Sequence, residues 1–215
     1  MKGIFAVYKP KGPTSNDVLN IIRRKTGIKK VGHAGTLDPL ARGVLVVGVG
    51  REATKQLAQA VKKEKEYEAV IRLGKTSTTD DEEGEKQEIK CKKPSLAQVR
   101  RAVKPFVGNI LQVPPVFSAI KVRGREAYKL ARRGQKVELK PRPAQIHDLK
   151  ILKYEWPYLK LRLVTGPGVY VRSLARDMGQ SLGTGAYLYE LERTRVGDFT
   201  KEKAASLDYF KSVDK

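Results

Sequence analysis

Strand-like and helix-like segments interleave irregularly along this chain, and that irregularity limits the fold more than any single motif does. A strict strand–helix alternation would call for a doubly wound parallel sheet. Here several strand-like runs can pair with their sequence neighbours as hairpins. The pattern therefore points to an α+β fold with a central, largely antiparallel mixed sheet flanked by helices and loops. Residues 4–8 read as a strand ended by Lys9-Pro10-Lys11-Gly12-Pro13. Thr14, Ser15 or Asn16 can cap a helix to about Lys25, with Val18, Leu19 and Ile22 on its inner face and Gly27 as its stop. Residues 44–49 form a short, fully apolar strand, and a helix is expected over residues 52–61. Further strands are expected at 67–73, 110–113, 118–122 and 187–195, and a paired set at 144–154 and 159–165 turns at Trp156-Pro157. Ser95 caps a helix to about Lys104, and residues 125–133 read as a short basic helix stopped by Gly134. Residues 170–182 place Val171, Leu174, Ala175, Met178 and Leu182 at helical spacing, and a short helix follows Lys201. Residues 74–85 read as a flexible, solvated acidic loop, and Gly48-Val49-Gly50 and Gly183-Thr184-Gly185 as isolated turns.

No repeat of fixed period and no Pro/Gly/Ser-rich linker interrupts the 215 residues, so one domain spanning 1–215 is expected. The formal net charge is +21, from 44 Lys plus Arg against 23 Asp plus Glu, which makes a polyanion the expected partner. Charge-rich surfaces selected for heat tolerance tend to balance the two signs, and this one does not. Cys91 is the one cysteine, so no intramolecular disulfide forms, which suits a reducing cytosol. With only His33 and His147 beside it, the chain cannot furnish an ordinary Cys/His zinc site, and no metal is expected. Lys9-Pro10-Lys11 follows the first apolar residues too soon for a signal peptide, and no apolar run approaches the ~20 residues of a membrane span. A cytoplasmic monomer that avoids membranes is the expectation.

One stretch concentrates chemistry. Gly32-His33-Ala34-Gly35-Thr36-Leu37-Asp38-Pro39-Leu40-Ala41-Arg42 puts a carboxylate, an imidazole and a guanidinium on a loop punctuated by Gly and Pro. Gly35 admits backbone angles other residues resist, and Pro39 pushes Asp38 toward extended geometry. An aspartate on a fixed, accessible backbone ordinarily loses its proton near pH ~3.9, so it is ionised at neutral pH and needs no activating base to act as a nucleophile. No phosphate-binding Gly-x-x-x-x-Gly-Lys-Ser or strand-to-helix Gly-x-Gly-x-x-Gly is present, nor a Ser/His/Asp arrangement for acyl transfer.

The longer string from Lys30 to Gly43 resembles the signature of the TruB branch of the pseudouridine synthases. Three more segments resemble that family in the same order. They are Lys9-Pro10-Lys11-Gly12-Pro13-Thr14-Ser15, then Lys65-Glu66-Tyr67-Glu68-Ala69 with Arg72-Leu73-Gly74, and Gly168-Val169-Tyr170-Val171-Arg172-Ser173-Leu174-Ala175-Arg176-Asp177. The resemblance implies a pseudouridine-synthase-type domain that works without cofactors. Its substrate would be tRNA, held at the T stem-loop, and its reaction the conversion of the T-loop uridine (tRNA position 55) to pseudouridine by base flipping. It further implies that Asp38 attacks the ribose C1′ or the base, and that Arg172 pairs with Asp38 to keep it ionised and aimed. Tyr67 would stack on the flipped base, His33 would fill the space the nucleotide vacates, and Tyr170 and Leu191 would line the uracil pocket. Lys9 would support the loop or hold a phosphate. Outside the matched motifs, Arg123, Arg125, Lys129, Arg132 and Arg133 are candidates for RNA-backbone contacts.

Two departures from the family pattern stand out. Thr165-Gly166-Pro167-Gly168-Val169 lacks the Lys and Thr common before the Tyr, and the chain stops at Lys215, where relatives usually continue into an RNA-binding PUA module. A catalytic domain without that module is therefore expected. Two rival readings are a non-catalytic RNA-binding or tRNA-folding protein, and the same chemistry on rRNA.

Overall fold

The computed structural model describes residues 1–122 and 124–210, so Arg123 lies outside the described residues. In chain order the elements are β1 (Gly3–Lys9), α1 (Ser15–Thr26), β2 (Val31–Ala34), β3 (Arg42–Val49), α2 (Arg51–Val61), β4 (Lys65–Leu73), β5 (Lys75–Ser77) and β6 (Lys86–Glu88). They continue with α3 (Leu96–Val103), β7 (Gly108–Gln112), β8 (Lys121–Val122), β9 (Arg125–Glu126), α4 (Ala127–Ala131) and β10 (Arg142–Glu155). The last are β11 (Tyr158–Thr165), α5 (Val171–Ser181), β12 (Ala186–Val196) and β13 (Phe199–Thr200). The chain divides into two compact units, and β4, β11 and β12 contribute residues to both.

The first unit comprises Met1–Glu68, Val164–Pro167 and Leu191–Lys215. Its central strand is β3, which β1 joins antiparallel from Gly3↔Val49 to Lys9↔Gly43. On β3's other edge lie β2, antiparallel with His33 opposite Val47, and β12, parallel with Arg193 opposite Gly43. Every residue of β3 after Arg42 is buried, as its unbroken apolar run demands. One face packs Leu45, Val47 and Val49 on Val18, Leu19 and Ile22 of α1, and the other packs Val44 and Val46 on Ala6, Val196 and Leu57 of α2. Thr14 is the cap of α1, in a reciprocal capping box with Asp17, and Gly27 ends the helix at φ 69°. His33, expected in a loop, belongs to β2. Four residues are too few to display a period-2 pattern, and the pairing with β3 decides the conformation. After Lys201 the chain forms two 3-10 turns, at Lys201–Lys203 and Leu207–Tyr209, rather than a helix. Between them Ala205 exchanges backbone hydrogen bonds with Ala6 and Tyr8, which holds the segment extended along β1.

The second unit comprises Ala69–Leu163 and Gly168–Glu190. Its strands run in the order β12-β4-β11-β10-β7, with β10 and β7 antiparallel from Arg142↔Gln112 to Ile146↔Gly108. The β10–β11 turn falls at Trp156-Pro157, whose peptide bond is cis. α3, with Ser95 and Gln98 in a capping box, packs on α5 and β10. The α5 face buries Val171, Leu174, Ala175 and Met178 as its spacing requires, while Leu182 is the half-buried cap. Arg172 and Ser173 are buried as well, so the first turn of α5 is enclosed all round.

Three expectations fail here. Residues 74–85 are not a solvated loop: β5 and β6 pair, and the turn between them directs Asp80 and Asp81 inward onto arginines of α5. The basic helix is shorter than its composition suggests. Arg125 lies in β9, hydrogen-bonded opposite Val122, and only Ala127–Ala131 is helical, because a hairpin claims the residues before it. Residues 118–120, expected to extend the strand at Val122, are bends at 118–119 and irregular at Ile120. The sheet is mixed, with a parallel β3–β12 contact among antiparallel pairs, and helices pack on it, which is the α+β arrangement expected.

Candidate active site

Asp38 sits on a loop held from below by backbone-directed side chains. Ser15 Oγ accepts from the Leu37 N–H and donates to the Leu37 carbonyl, both at 2.9 Å. Gly12 N donates to the Pro39 carbonyl at 2.8 Å, and Ala41 N to the Asp38 carbonyl at 3.0 Å. Lys9 is 0% exposed, and its Nζ donates to the carbonyls of Pro10 (2.9 Å), Pro13 (2.8 Å) and Pro39 (3.5 Å). Lys9 thus ties the first Pro-rich turn to the loop of Asp38. Arg193, which sequence reading did not single out, reaches the same loop from β12. Its Nε donates to Val44 O at 2.8 Å, and its two Nη atoms to Thr36 O at 3.3 Å and Gly35 O at 3.1 Å.

Tyr67 lies on the face of β4 that buries Lys65, Tyr67, Ala69, Ile71 and Leu73 in strict alternation, and Leu191 is buried on β12. Nδ1 of His33 is buried with no hydrogen-bond partner among the described residues. Burial first, and the Arg193 guanidinium second, hold the His33 imidazole below its ordinary pKa, so the ring is neutral. The same two causes bring the Lys65 ammonium down to about 8. The sign of the resulting pH dependence is definite. Between about pH 8 and the ordinary lysine value the unfolded chain holds a proton that the folded chain has released, so stability rises with pH across that window. Wild type is expected to gain in urea midpoint between pH 7.5 and 9.5 relative to Lys65→Met; parallel pH curves for the two would contradict this.

In the second unit, Tyr170 stands at the cap of α5, and its backbone is clamped by one side-chain amide. Gln112 Oε1 accepts from Tyr170 N at 2.9 Å, and Gln112 Nε2 donates to Tyr170 O at 3.1 Å. Arg172 donates to Asp81 Oδ2 at 3.2 Å, to the Phe117 carbonyl at 3.0 Å and to the Thr79 carbonyl at 3.5 Å. Asp81 is 2% exposed and also accepts from the Thr79 hydroxyl and the Glu83 N–H. Next to it Arg176 pairs with Asp80 at 2.8 Å, where burial outweighs that pairing and pushes the Asp80 carboxyl up. Removing one partner of a buried pair strands the other charge. Asp81→Asn is therefore expected to cost about 3 kcal/mol in chemical unfolding, and a loss under about 0.5 kcal/mol would show that Arg172 is held without it.

Five of the residues singled out from sequence, Lys9, His33, Asp38, Tyr67 and Leu191, belong to the first unit, and Tyr170 and Arg172 to the second. Arg125, Lys129, Arg132 and Arg133 are exposed. Lys129 pairs with Glu126 at 3.0 Å, and Lys129 and Arg132 both lie over the Tyr128 ring. Sequence reading missed Arg193, Lys65, Gln112 and Asp81. The one visible signal was the Thr78-Thr79-Asp80-Asp81 run, whose hydroxyls suit a tight turn better than a solvated acidic tail. Among the described residues no group of His, Cys, Asp or Glu is arranged to hold a metal ion, and no helix is long and apolar enough to cross a membrane.

Known proteins share this mixed-sheet α+β fold. The chain superposes on a chain of "Crystal Structure of a Cbf5-Nop10-Gar1 Complex" with a TM-score of 0.75 at 30% identity, over 97% of this chain and 54% of that one. It superposes on a chain of "Structure of H/ACA RNP bound to a substrate RNA containing 2'-deoxyuridine" with a TM-score of 0.72 at 28% identity, over 95% of this chain and 51% of that one. It thus spans about half the length of those solved chains. Residues 23–171 match the family model of the TruB family pseudouridylate synthase N-terminal domain, and residues 172–214 that of the tRNA pseudouridylate synthase B C-terminal domain. The tRNA pseudouridine synthase B of Clostridium novyi is 44% identical over 100% of this chain and 77% of its own length. That of Thermobifida fusca is 47% identical over 96% of this chain and 73% of its own. The chain belongs to the TruB family of pseudouridylate synthases.

Proposed function

We propose that this chain isomerises a uridine of the tRNA T-loop to pseudouridine, with Asp38 as its catalytic carboxylate. The observation that carries the reading is the placement of Asp38 on a loop anchored through Ser15, Lys9 and Arg193, in a chain whose curated relatives carry the name tRNA pseudouridine synthase B. The reaction changes connectivity only. The bond between uracil N1 and ribose C1′ breaks with participation of the Asp38 carboxylate, the base turns, and C5 bonds to C1′. The hydrogen on C5 leaves as a proton, and N1 takes one up, so no oxidant, reductant or cofactor enters the balance.

In this reading Tyr67 stacks on the flipped base, Leu191 and Tyr170 bound the uracil site, and neutral His33 fills the vacated stack without adding a charge. Lys9, enclosed among carbonyls, supports the loop. Arg172 is assigned to Asp38 by the motif resemblance alone, and a double-mutant cycle on the two tests that pairing through non-additive losses. The net charge of +21 draws the chain to tRNA phosphates, with the exposed Arg125, Lys129, Arg132 and Arg133 among the contacts. The chain acts as a cytoplasmic monomer and as one catalytic domain.

The test is tritium release from unmodified tRNA carrying [5-³H]uridine, with T-loop and rRNA fragments as competitors. Release that T-loop fragments suppress supports the proposal. Release suppressed by rRNA fragments alone moves the substrate to rRNA. Tight RNA binding without release supports the non-catalytic reading.

A further inference from the structure

We infer that Arg193 is the positioning residue that sets the loop carrying Asp38. The inference rests on the reading of Asp38 given above and extends it to a residue outside the four matched motifs. Three different nitrogens of one guanidinium hold three carbonyls that bracket one loop: Gly35 and Thr36 before Asp38, and Val44 of β3 after it. A planar fork of donors spans both ends of a loop at once, which a lysine ammonium cannot do with the same geometry.

The side chain is 1% exposed, and among the described residues it has no carboxylate partner. A buried cation supported by neutral carbonyls alone is an expensive way to fill space, since an apolar side chain of similar volume avoids the desolvation cost. What the guanidinium supplies and an apolar residue does not is a fixed distance between the two ends of the loop. The backbone sets that distance. Arg193 pairs with Gly43 across the parallel β3–β12 contact, and a Cβ on Gly43 would stand 2.2 Å from the Arg193 carbonyl oxygen. The close approach leaves the guanidinium directly beneath Gly35, whose own Cβ position would lie 3.7 Å from an Arg193 Nη atom. The charge also reaches His33 and Lys65, both of which it holds toward their neutral forms.

The test compares wild type with Arg193→Met and Arg193→Lys by three readouts: single-turnover rate on unmodified tRNA, tRNA affinity, and hydrogen exchange at backbone amides of residues 35–41. Arg193→Met is expected to slow the single turnover by about 10²-fold, the scale of a small misplacement of a reacting group. Its affinity should stay within about threefold, because the side chain faces the loop and not solvent. Exchange over 35–41 should rise at least about tenfold while β1 and β3 remain protected. Arg193→Lys should fall between the two. If Arg193→Met does not fold, the Lys variant carries the same comparison. Unchanged exchange over 35–41 in a folded variant overturns the inference. Should wild type release no tritium at all, the catalytic reading fails, and the exchange result still decides whether Arg193 sets the loop.

Discussion

Asp38→Asn is expected to abolish tritium release from [5-³H]uridine tRNA, with a fall in rate of at least about 10⁴-fold. The substitution changes the chemistry while leaving the described backbone anchors of the loop in place. The hydrogen bonds described for the loop run through backbone groups of Gly35, Thr36, Leu37, Asp38, Pro39 and Ala41, and an Asn at position 38 keeps these. The amide has the size of the carboxylate but neither its charge nor its nucleophilicity. Removing one negative charge from a chain of net charge +21 does not weaken its attraction to phosphates. tRNA affinity should therefore stay close to wild type while turnover disappears. A variant that keeps a tenth of the wild-type rate would remove Asp38 from the chemistry, and one that loses affinity in parallel would mark Asp38 as an RNA contact.

Gly43→Ala is expected to cost about 5 kcal/mol in urea unfolding, enough to leave a marginal domain largely unfolded. Its Cβ would stand 2.2 Å from the carbonyl oxygen of Arg193 and 2.8 Å from its nitrogen, and both are strand backbone that cannot rotate aside. Gly43 also sits at φ 110°, so the added methyl is strained by its own backbone besides. Gly27→Ala separates the two effects. Gly27 has φ 69° but open space where the Cβ would go, so only the backbone penalty applies, about 1 kcal/mol. If the two variants lose the same stability, the closeness of β3 to β12 at this point is not what the structure indicates.

Both Asp38 and Gly43 fall within residues 32–43, the stretch most legible in the sequence, yet they were legible to different degrees. That Asp38 lies on a Gly- and Pro-ordered loop could be read directly, because turn chemistry is local. That Gly43 is held to glycine by the backbone of Arg193 could not, since the two are distant in sequence. The same division runs through the fold. α1 announced itself by Thr14, Asp17 and Gly27, β3 by an unbroken apolar run, and the β10–β11 hairpin by Trp156-Pro157, all within reach of neighbouring residues. β2, the β5–β6 hairpin and the shortness of α4 were missed. Each is set by what the segment pairs with, and each is too short for its own periodicity to decide.

Charged residues show the division most sharply. Local composition made Asp80 and Asp81 look solvated, because an acidic cluster with no partner nearby in sequence belongs in water. Their partners Arg172 and Arg176 stand about ninety positions further along, and only the fold brings them within hydrogen-bonding distance. Arg193 reads on its own as one more basic residue in a strand, and the role expected of Lys9 left open whether it meets the loop or a phosphate, yet both are enclosed and spend their donors on carbonyls. The sequence by itself determined the secondary elements with strong local signals, the basic character and the chemistry available at Asp38. Those follow from caps, turns, periodicity and charge, which act over a few residues or over the whole composition. Only the tertiary structure decided which charges are buried, what holds the Asp38 loop and where a glycine is obligatory, because burial and close approach depend on partners that the chain meets only once it has folded.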